Sequence, residues 1–226
     1  MPLNKAKGNM YGFVTHTWNF IKGVCPHNCS YCYMRKWWPQ MSAPRLDEKE
    51  FKVNPGSGKV IFVGSSIDMN AYPIPGDLRR EVVEYLSQFD NQYFFQSKNP
   101  NDFFQYIYPK NTILCTTIET NRYYKKIMGN SPTPLERCDS FRHNISIYKK
   151  MITIEPVMDF NINIMLKWIR NILPIQINIG ADSGGNNLPE PSPEKLKRFI
   201  YALKVGGFNV HLKDNLERLT KKIDHE

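Results

Sequence analysis

The chain reads as an α/β protein, a partial (βα)6 TIM-like barrel with a parallel sheet inside and helices outside. Three observations carry that reading. Short apolar runs rich in β-branched residues alternate with amphipathic helical stretches from end to end. The run Lys59–Ser66 is apolar with β-branched residues, as a buried parallel strand is. Six such units suit 226 residues, whereas a complete eight-fold barrel takes ~250. No repeat and no linker divides the chain, so residues 1–226 are expected to form a single domain.

A first strand is expected over Gly12–Trp18, leading into a cysteine loop (residues 23–38) in which Tyr31–Trp38 opens a helix ended by Pro39. The Pro/Gly-bearing stretch Met41–Gly58 reads as a long connection. Lys59–Ser66 is a second strand, and Asp77–Phe89 a helix with Leu78, Val82, Leu86 and Phe89 on one face. Gln92–Ser97, Thr112–Glu119, Lys150–Val157 and Ile175–Ala181 continue the strands, with a short helix at Asn101–Ile107 and helical pieces within Asn121–Asn144. Ile162–Ile172 is amphipathic. Ser192 caps a helix that Pro193 opens and Gly206-Gly207 stop. A last strand, Phe208–Leu212, precedes a basic tail at 213–226.

Thirty Lys plus Arg against 21 Asp plus Glu give a formal charge of +9. That balance favours polyanionic partners, nucleic acid among them, though simple solubility accounts for it equally well. No apolar run approaches the ~18 residues that span a bilayer, so no membrane is expected. Five cysteines, three of them within eight residues, do not make a disulfide framework; they fit thiol ligands in a reducing, cytoplasmic setting.

Those three are Cys25, Cys29 and Cys32, spaced C-x3-C-x2-C. Three thiolates on one tight loop can hold three corners of a 4Fe–4S cubane and leave the fourth iron without a local protein ligand. Such an iron can chelate the amino and carboxylate groups of S-adenosylmethionine (SAM). Zinc with His27 or His16 as a further ligand, incidental buried thiols, and a redox pair of Cys29 with Cys32 are the competing readings. Cys115 and Cys138 are too few for a second cubane, so one cluster is expected; Cys138 is a candidate hydrogen-atom donor.

The loop CPHNCSYC resembles the signature of the radical SAM superfamily, whose partial barrel carries its cluster loop after the first strand. The resemblance implies that Tyr31, before the last cysteine, packs on the adenine of SAM. Barrel enzymes place chemistry at the C-terminal strand ends, and polar or small residues recur there in this chain. The family layout implies Gly64 and Ser65, with Ser66 and Asp68, at the methionine end, and Lys98 at its carboxylate. Thr117 or Glu119 would then lie at the ribose, and Gly180 and Ala181 at the adenine.

The wider block TWNFIKGVCPHNCSYCYMRKWW, together with FVGSSIDM and FQSKNP, is similar to the spore photoproduct lyase family. TIEPVMDF with Glu155, a cofactor-binding candidate at the end of its strand, IGADSGGNN and HLKDN with Lys213 also resemble a phage-associated radical SAM family of unknown function. Lys213 is carried as a catalytic candidate. The chain departs from the lyase pattern in having no cysteine before Ser66, where that family has its hydrogen-donating thiol. The function expected is a radical SAM enzyme acting on a nucleic-acid base, by modification or lesion reversal, with a flavodoxin- or ferredoxin-like reductant. A small-molecule or peptide substrate, and a zinc-stabilised nucleic-acid binding module without catalysis, are the alternatives.

Overall fold

In a computed structural model, residues 3–143 and 147–220 are described. Ten strands occur in chain order: β1 Asn4–Lys5, β2 His16–Trp18, β3 Ile21–Lys22, β4 Arg45–Leu46, β5 Val60–Val63, β6 Gln92–Ser97, β7 Ile113–Thr117, β8 Lys149–Ile154, β9 Gln176–Ile179 and β10 Val210–Leu212. The α-helices are α1 Gly76–Leu86, α2 Lys125–Met128, α3 Pro134–Arg142, α4 Ile162–Ile172, α5 Pro193–Val205 and α6 Glu217–Thr220. Eight strands form one sheet in the order β1-β2-β5-β6-β7-β8-β9-β10. From β2 to β10 every pairing is parallel, and β1 alone runs antiparallel. The mostly parallel α/β sheet matches the fold expected from sequence, with β10 as the further strand. Its two edge strands do not pair with each other among the described residues, so the sheet stays open.

Side chains alternate across a strand with period two, and the alternation here sorts two cores. Ile61, Val63, Tyr93, Phe95, Leu114, Ile152, Ile154, Ile177 and Ile179 point to the helix layer. There they meet Val82 and Leu86 of α1, Met165 and Ile169 of α4, and Leu196, Phe199 and Leu203 of α5. Phe62, Phe94, Ile113, Cys115 and Met151 point to the other face, where Tyr11 and Val14 pack on them. Extending that second parity past the strand ends gives Gly64, Lys98, Thr117, Glu119, Glu155 and Gly180. Residues expected at the site from sequence thus share one face, the one not covered by helices.

Four expectations need correction. Only His16–Trp18 pairs as a strand; Tyr11–Val14 instead makes a turn (Val14 N–H to Tyr11 C=O, 2.9 Å) that fills the inner face. The helix after the cysteines is a 3-10 segment, Tyr33–Gln40, that contains Pro39 rather than ending before it; Met41 N–H closes it on Trp38 C=O. The connection Met41–Gly58 is partly ordered: β4 pairs with β3, and a 3-10 turn covers Glu48–Lys52. Residues 213–220 are no solvated tail, since Lys213, Leu216 and Leu219 are buried; residues 221–226 lie outside the described residues.

Helix α3 starts at a capping box, in which Thr133 Oγ1 accepts from Glu136 N–H and the Glu136 carboxylate accepts from Thr133 N–H. Thr133→Ala is expected to cost about 1 kcal/mol, measured as a shift of the urea midpoint with an unchanged slope.

Candidate active site

The cysteine loop leaves β3 and docks on the segment around α2. Ser30 N–H donates to Ile127 C=O at 2.9 Å, Asn130 N–H donates to His27 C=O at 2.7 Å, and the Cys29 thiol faces Met128 C=O at 3.5 Å. The close fit depends on Gly129, whose φ is +62° and where a Cβ would lie 2.1 Å from His27 O. On the other side, His27 Nε2 meets Asp68 Oδ2 at 2.8 Å. The same carboxylate oxygen accepts from Ser97 Oγ (3.0 Å) and Lys98 N–H (2.7 Å). Burial would push the Asp68 carboxyl up; His27 and these donors outweigh it and hold it below the usual aspartate value. Asp68 therefore ties the cysteine loop to the ends of β5 and β6.

All three loop cysteines are free thiols; Cys29 is buried, Cys25 and Cys32 partly exposed. Burial, then the Asp68 charge, pushes the Cys25 thiol up to about 12, against backbone N–H groups of Asp68 and His27 directed at its sulfur. Burial also raises Cys32, opposed by the Met34 N–H and by Lys98 and Arg35. Among the described residues no three His, Cys, Asp or Glu side chains are already gathered into a metal-binding set. The donor chemistry nonetheless fits a cluster: three free thiols share a loop, and the N–H groups aimed at the Cys25 and Cys32 sulfurs are the second-shell contacts that thiolate clusters use. A metal would displace the protons that burial otherwise holds on Cys25 and Cys32. His27 is already committed to Asp68, which weakens a zinc set drawing its fourth ligand from the loop.

Beside the loop lies a buried charged group. The Tyr31 hydroxyl donates to Glu119 Oε1 in a short hydrogen bond, and Arg137 Nη1 donates to Glu119 Oε2 at 2.7 Å. Lys98 Nζ stands 3.7 Å from Glu119 and 4.8 Å from the centre of the Tyr31 ring. Glu119 and Arg137 have fully buried side chains. Burial alone would raise the Glu119 carboxyl; Arg137 and Lys98 reverse the shift and hold it below the ordinary glutamate value. Burial would lower Lys98; the Glu119 carboxylate beside it reverses the shift and holds it well above its usual value.

The remaining expected residues fall into two further groups on the same rim. Asn19 binds Ser65 and Ser66, accepting from Ser66 N–H at 2.9 Å, while Tyr33 OH donates to Ser65 C=O. Gly64 has φ +78°. Across the sheet, Lys213 Nζ pairs with Glu155 Oε2 at 2.8 Å and donates to Asn9 C=O at 2.7 Å. Asn9 Nδ2 donates to Glu155 Oε1, and Lys213 lies over the Tyr11 ring at 4.7 Å. Asn215 bridges Glu155 and the Ala181 carbonyl, and a Cβ at Gly180 would strike the Glu155 carboxyl at 2.7 Å. Thr117 Oγ1 accepts from Gln96 Nε2, whose carbonyl accepts from Tyr11 OH.

Cys138 is not at this rim. It is a core thiol of α3, 1% exposed and packed in the helix-side cluster with Phe141, a position that does not favour the hydrogen-donor role expected from sequence. Cys115 is likewise fully buried, on the inner face. Sequence reasoning did not find Asn9, Tyr11, Asn19, Gln96, Arg137 or Asn215. The one local hint was for Arg137, a charged residue beside Cys138 on a helix whose next turn is Phe141.

No family model matches the chain, and no curated protein matches it. Solved structures do. A cysteine-to-alanine variant of spore photoproduct lyase with dinucleoside spore photoproduct superposes with a TM-score of 0.66 at 9% identity, over 91% of this chain and 78% of that one. The lyase complexed with the same dinucleoside gives 0.63 at 8%, and a double variant with bound AdoMet and the dinucleoside gives 0.64 at 8%, each with the same coverage. The chain therefore shares its α/β fold, over nearly its whole length, with spore photoproduct lyase.

Proposed function

We propose that the chain is a radical SAM enzyme, with Cys25, Cys29 and Cys32 holding one 4Fe–4S cluster and the adjoining rim binding SAM. The observation that carries the reading is the position of three free thiols, with N–H groups turned to sulfur, beside a buried Tyr31–Glu119–Arg137–Lys98 group at the C-terminal strand ends. When bound, the cluster supplies an electron to the SAM sulfonium, breaking the C5′–S bond to give methionine and a 5′-deoxyadenosyl radical.

The chain's own residues bind and orient. Tyr31 offers a flat ring for adenine, one face of it already covered by Lys98. Lys98 brings a positive charge toward the SAM carboxylate, and Glu119, ionised and acceptor-only, suits ribose hydroxyls with Thr117. Gly180 and Ala181 allow close approach of the backbone, as Gly64, Ser65 and Ser66 do at the methionine end. Glu155 and Lys213, paired and shielded by Asn9 and Tyr11, face the same mouth and would contact the substrate.

The substrate class proposed is a nucleic-acid base, by modification or lesion reversal. The lyase structures that share the fold hold a dinucleoside photoproduct, and the chain's +9 charge suits a phosphate backbone. The same account has the protein in the cytoplasm, reduced by a flavodoxin- or ferredoxin-like donor. None of its described helices is long and apolar enough to cross a membrane. The test is to quantify 5′-deoxyadenosine with no nucleic acid, with undamaged DNA or RNA, and with ultraviolet-irradiated DNA. Stimulation by one nucleic acid, with a changed base recovered from it, is expected. Equal yields in all arms, with every base unchanged, would remove nucleic acid as substrate.

A further inference from the structure

The C-terminal face also carries a depression of about 300 Å³, apart from the cysteine rim, built by three successive connections. Arg122 comes from the loop after β7, Phe160 to Asn163 from the loop after β8 into α4, and Lys195 with Arg198 from the first two turns of α5, which follows β9. Its volume is at the lower end of ligand pockets, roughly 300–1,000 Å³. No acidic side chain lines it among the described residues.

Its cations are placed rather than loose. Asp159, just outside the lining, holds Arg122 Nη1 at 2.5 Å and Lys195 Nζ at 2.6 Å, and Tyr124 also binds Arg122. One carboxylate against three cations leaves an excess of positive charge. Arg198 is exposed and has no hydrogen-bond or ion-pair partner among the described residues. Asn163 adds a side-chain amide, and buried Phe160 lies at the base.

The depression is joined to the cysteine loop. Arg122 is followed by Tyr123, 46% exposed, then by Lys125 and Lys126 of α2, and Ile127 C=O accepts from Ser30 N–H at 2.9 Å. A basic track with an exposed aromatic therefore runs from the pocket to the loop. Positive grooves interleaved with aromatic rings are how proteins follow a nucleic-acid strand without reading its sequence.

We propose that Arg122, Lys195 and Arg198 form a phosphodiester seat that grips the backbone of a nucleic-acid strand whose neighbouring base is presented at the cysteine rim. This deepens the nucleic-acid reading above and rests on it. Arginine suits such a seat because its planar fork meets two phosphate oxygens at once.

The test is fluorescence anisotropy of the full chain with a labelled single-stranded oligonucleotide of about 12 nucleotides, across a salt series. Arg122→Ala with Arg198→Ala is expected to weaken binding about tenfold and flatten the log K–log salt slope by about 1.4, at ~0.7 per phosphate lost. Arg198→Glu alone should weaken it at least as much as Arg198→Ala. Lys149→Ala, at the opposite end of β8, is the matched control, expected within about twofold of the parent. Both arginines are exposed, and melting curves check folding. Parental affinity and slope in the arginine variants would overturn the seat. So would protection of the parent by inorganic phosphate, lost in the variants, with oligonucleotide binding unchanged, since that result marks a small-anion pocket. Failure of the radical chemistry would appear instead as absent 5′-deoxyadenosine from the parent without nucleic acid, leaving the binding result intact.

Discussion

Arg137→Met is expected to lower the stability of the protein by about 3–5 kcal/mol, because it strands the Glu119 carboxylate in the interior. Arg137 and Glu119 are both fully buried, and the guanidinium also donates to Thr117 C=O at 2.9 Å and to Pro132 C=O at 2.7 Å. For a chain of this size the loss corresponds to roughly 6–20 °C in melting temperature. Adding Glu119→Gln to the variant should restore part of it, since a neutral amide costs less to bury than an unpaired charge. The linkage has a definite sign. The folded-state value of Glu119 is depressed, so its contribution is present above the unfolded carboxyl value and lost as pH falls through the folded one. A flat comparison of parent and Arg137→Met melting temperatures at neutral pH would show that the pair is not what holds this corner together. SAM affinity separates two roles: Glu119→Gln should weaken it even where the fold survives.

The second large effect is expected at Gly129. An alanine there would put Cβ 2.1 Å from His27 O, inside any tolerable contact, on a backbone with φ +62°. With ψ at −128° that backbone lies outside the left-handed helical region, among conformations that cost an L-residue about 1–3 kcal/mol before any clash. The contact cannot be relieved by a flexible side chain, because the atoms met are the backbone of His27 and Asn28. Relief must come from lifting the cysteine loop off α2, so Gly129→Ala should reduce cluster loading to below about a third of the parental iron and sulfide. Far-ultraviolet circular dichroism should remain close to parental. Full loading with normal iron and sulfide would mean that docking on α2 does not position the thiols.

The parts of this architecture that were legible in the sequence are those with a local signal. Strand β6 announces itself as an aromatic run, β7 to β9 as runs with β-branched residues, and α5 by Ser192, Pro193 and Gly206-Gly207. The cysteine spacing needs only eight residues to be read. The parity of a strand carries Lys98, Thr117, Glu119 and Glu155 to one face as soon as the strands are recognised. What could not be read depends on distant pairs. Strands of two residues such as β1, β3 and β4 have no periodicity to detect. Tyr11 belongs to the inner face through residues far along the chain: it packs on Phe62 and Phe94, and Gln96, 85 positions away, accepts from its hydroxyl. Arg137 becomes part of the site because α3 packs where its side chain can reach Glu119. Cys138 shows the converse: its polar sequence context does not reveal that the thiol, like the neighbouring Arg137, is buried.

The central claim is that Cys25, Cys29 and Cys32, and no other cysteine, support reductive cleavage of SAM. Anaerobic reconstitution with iron and sulfide, reduction with dithionite and addition of SAM, followed by quantification of 5′-deoxyadenosine, tests it across five single Cys→Ala variants. The account predicts that the parent, Cys115→Ala and Cys138→Ala produce 5′-deoxyadenosine, while Cys25→Ala, Cys29→Ala and Cys32→Ala bind less iron and produce none. A parent that carries a full cluster yet forms no 5′-deoxyadenosine, or a Cys29→Ala protein that still forms it, would contradict the account.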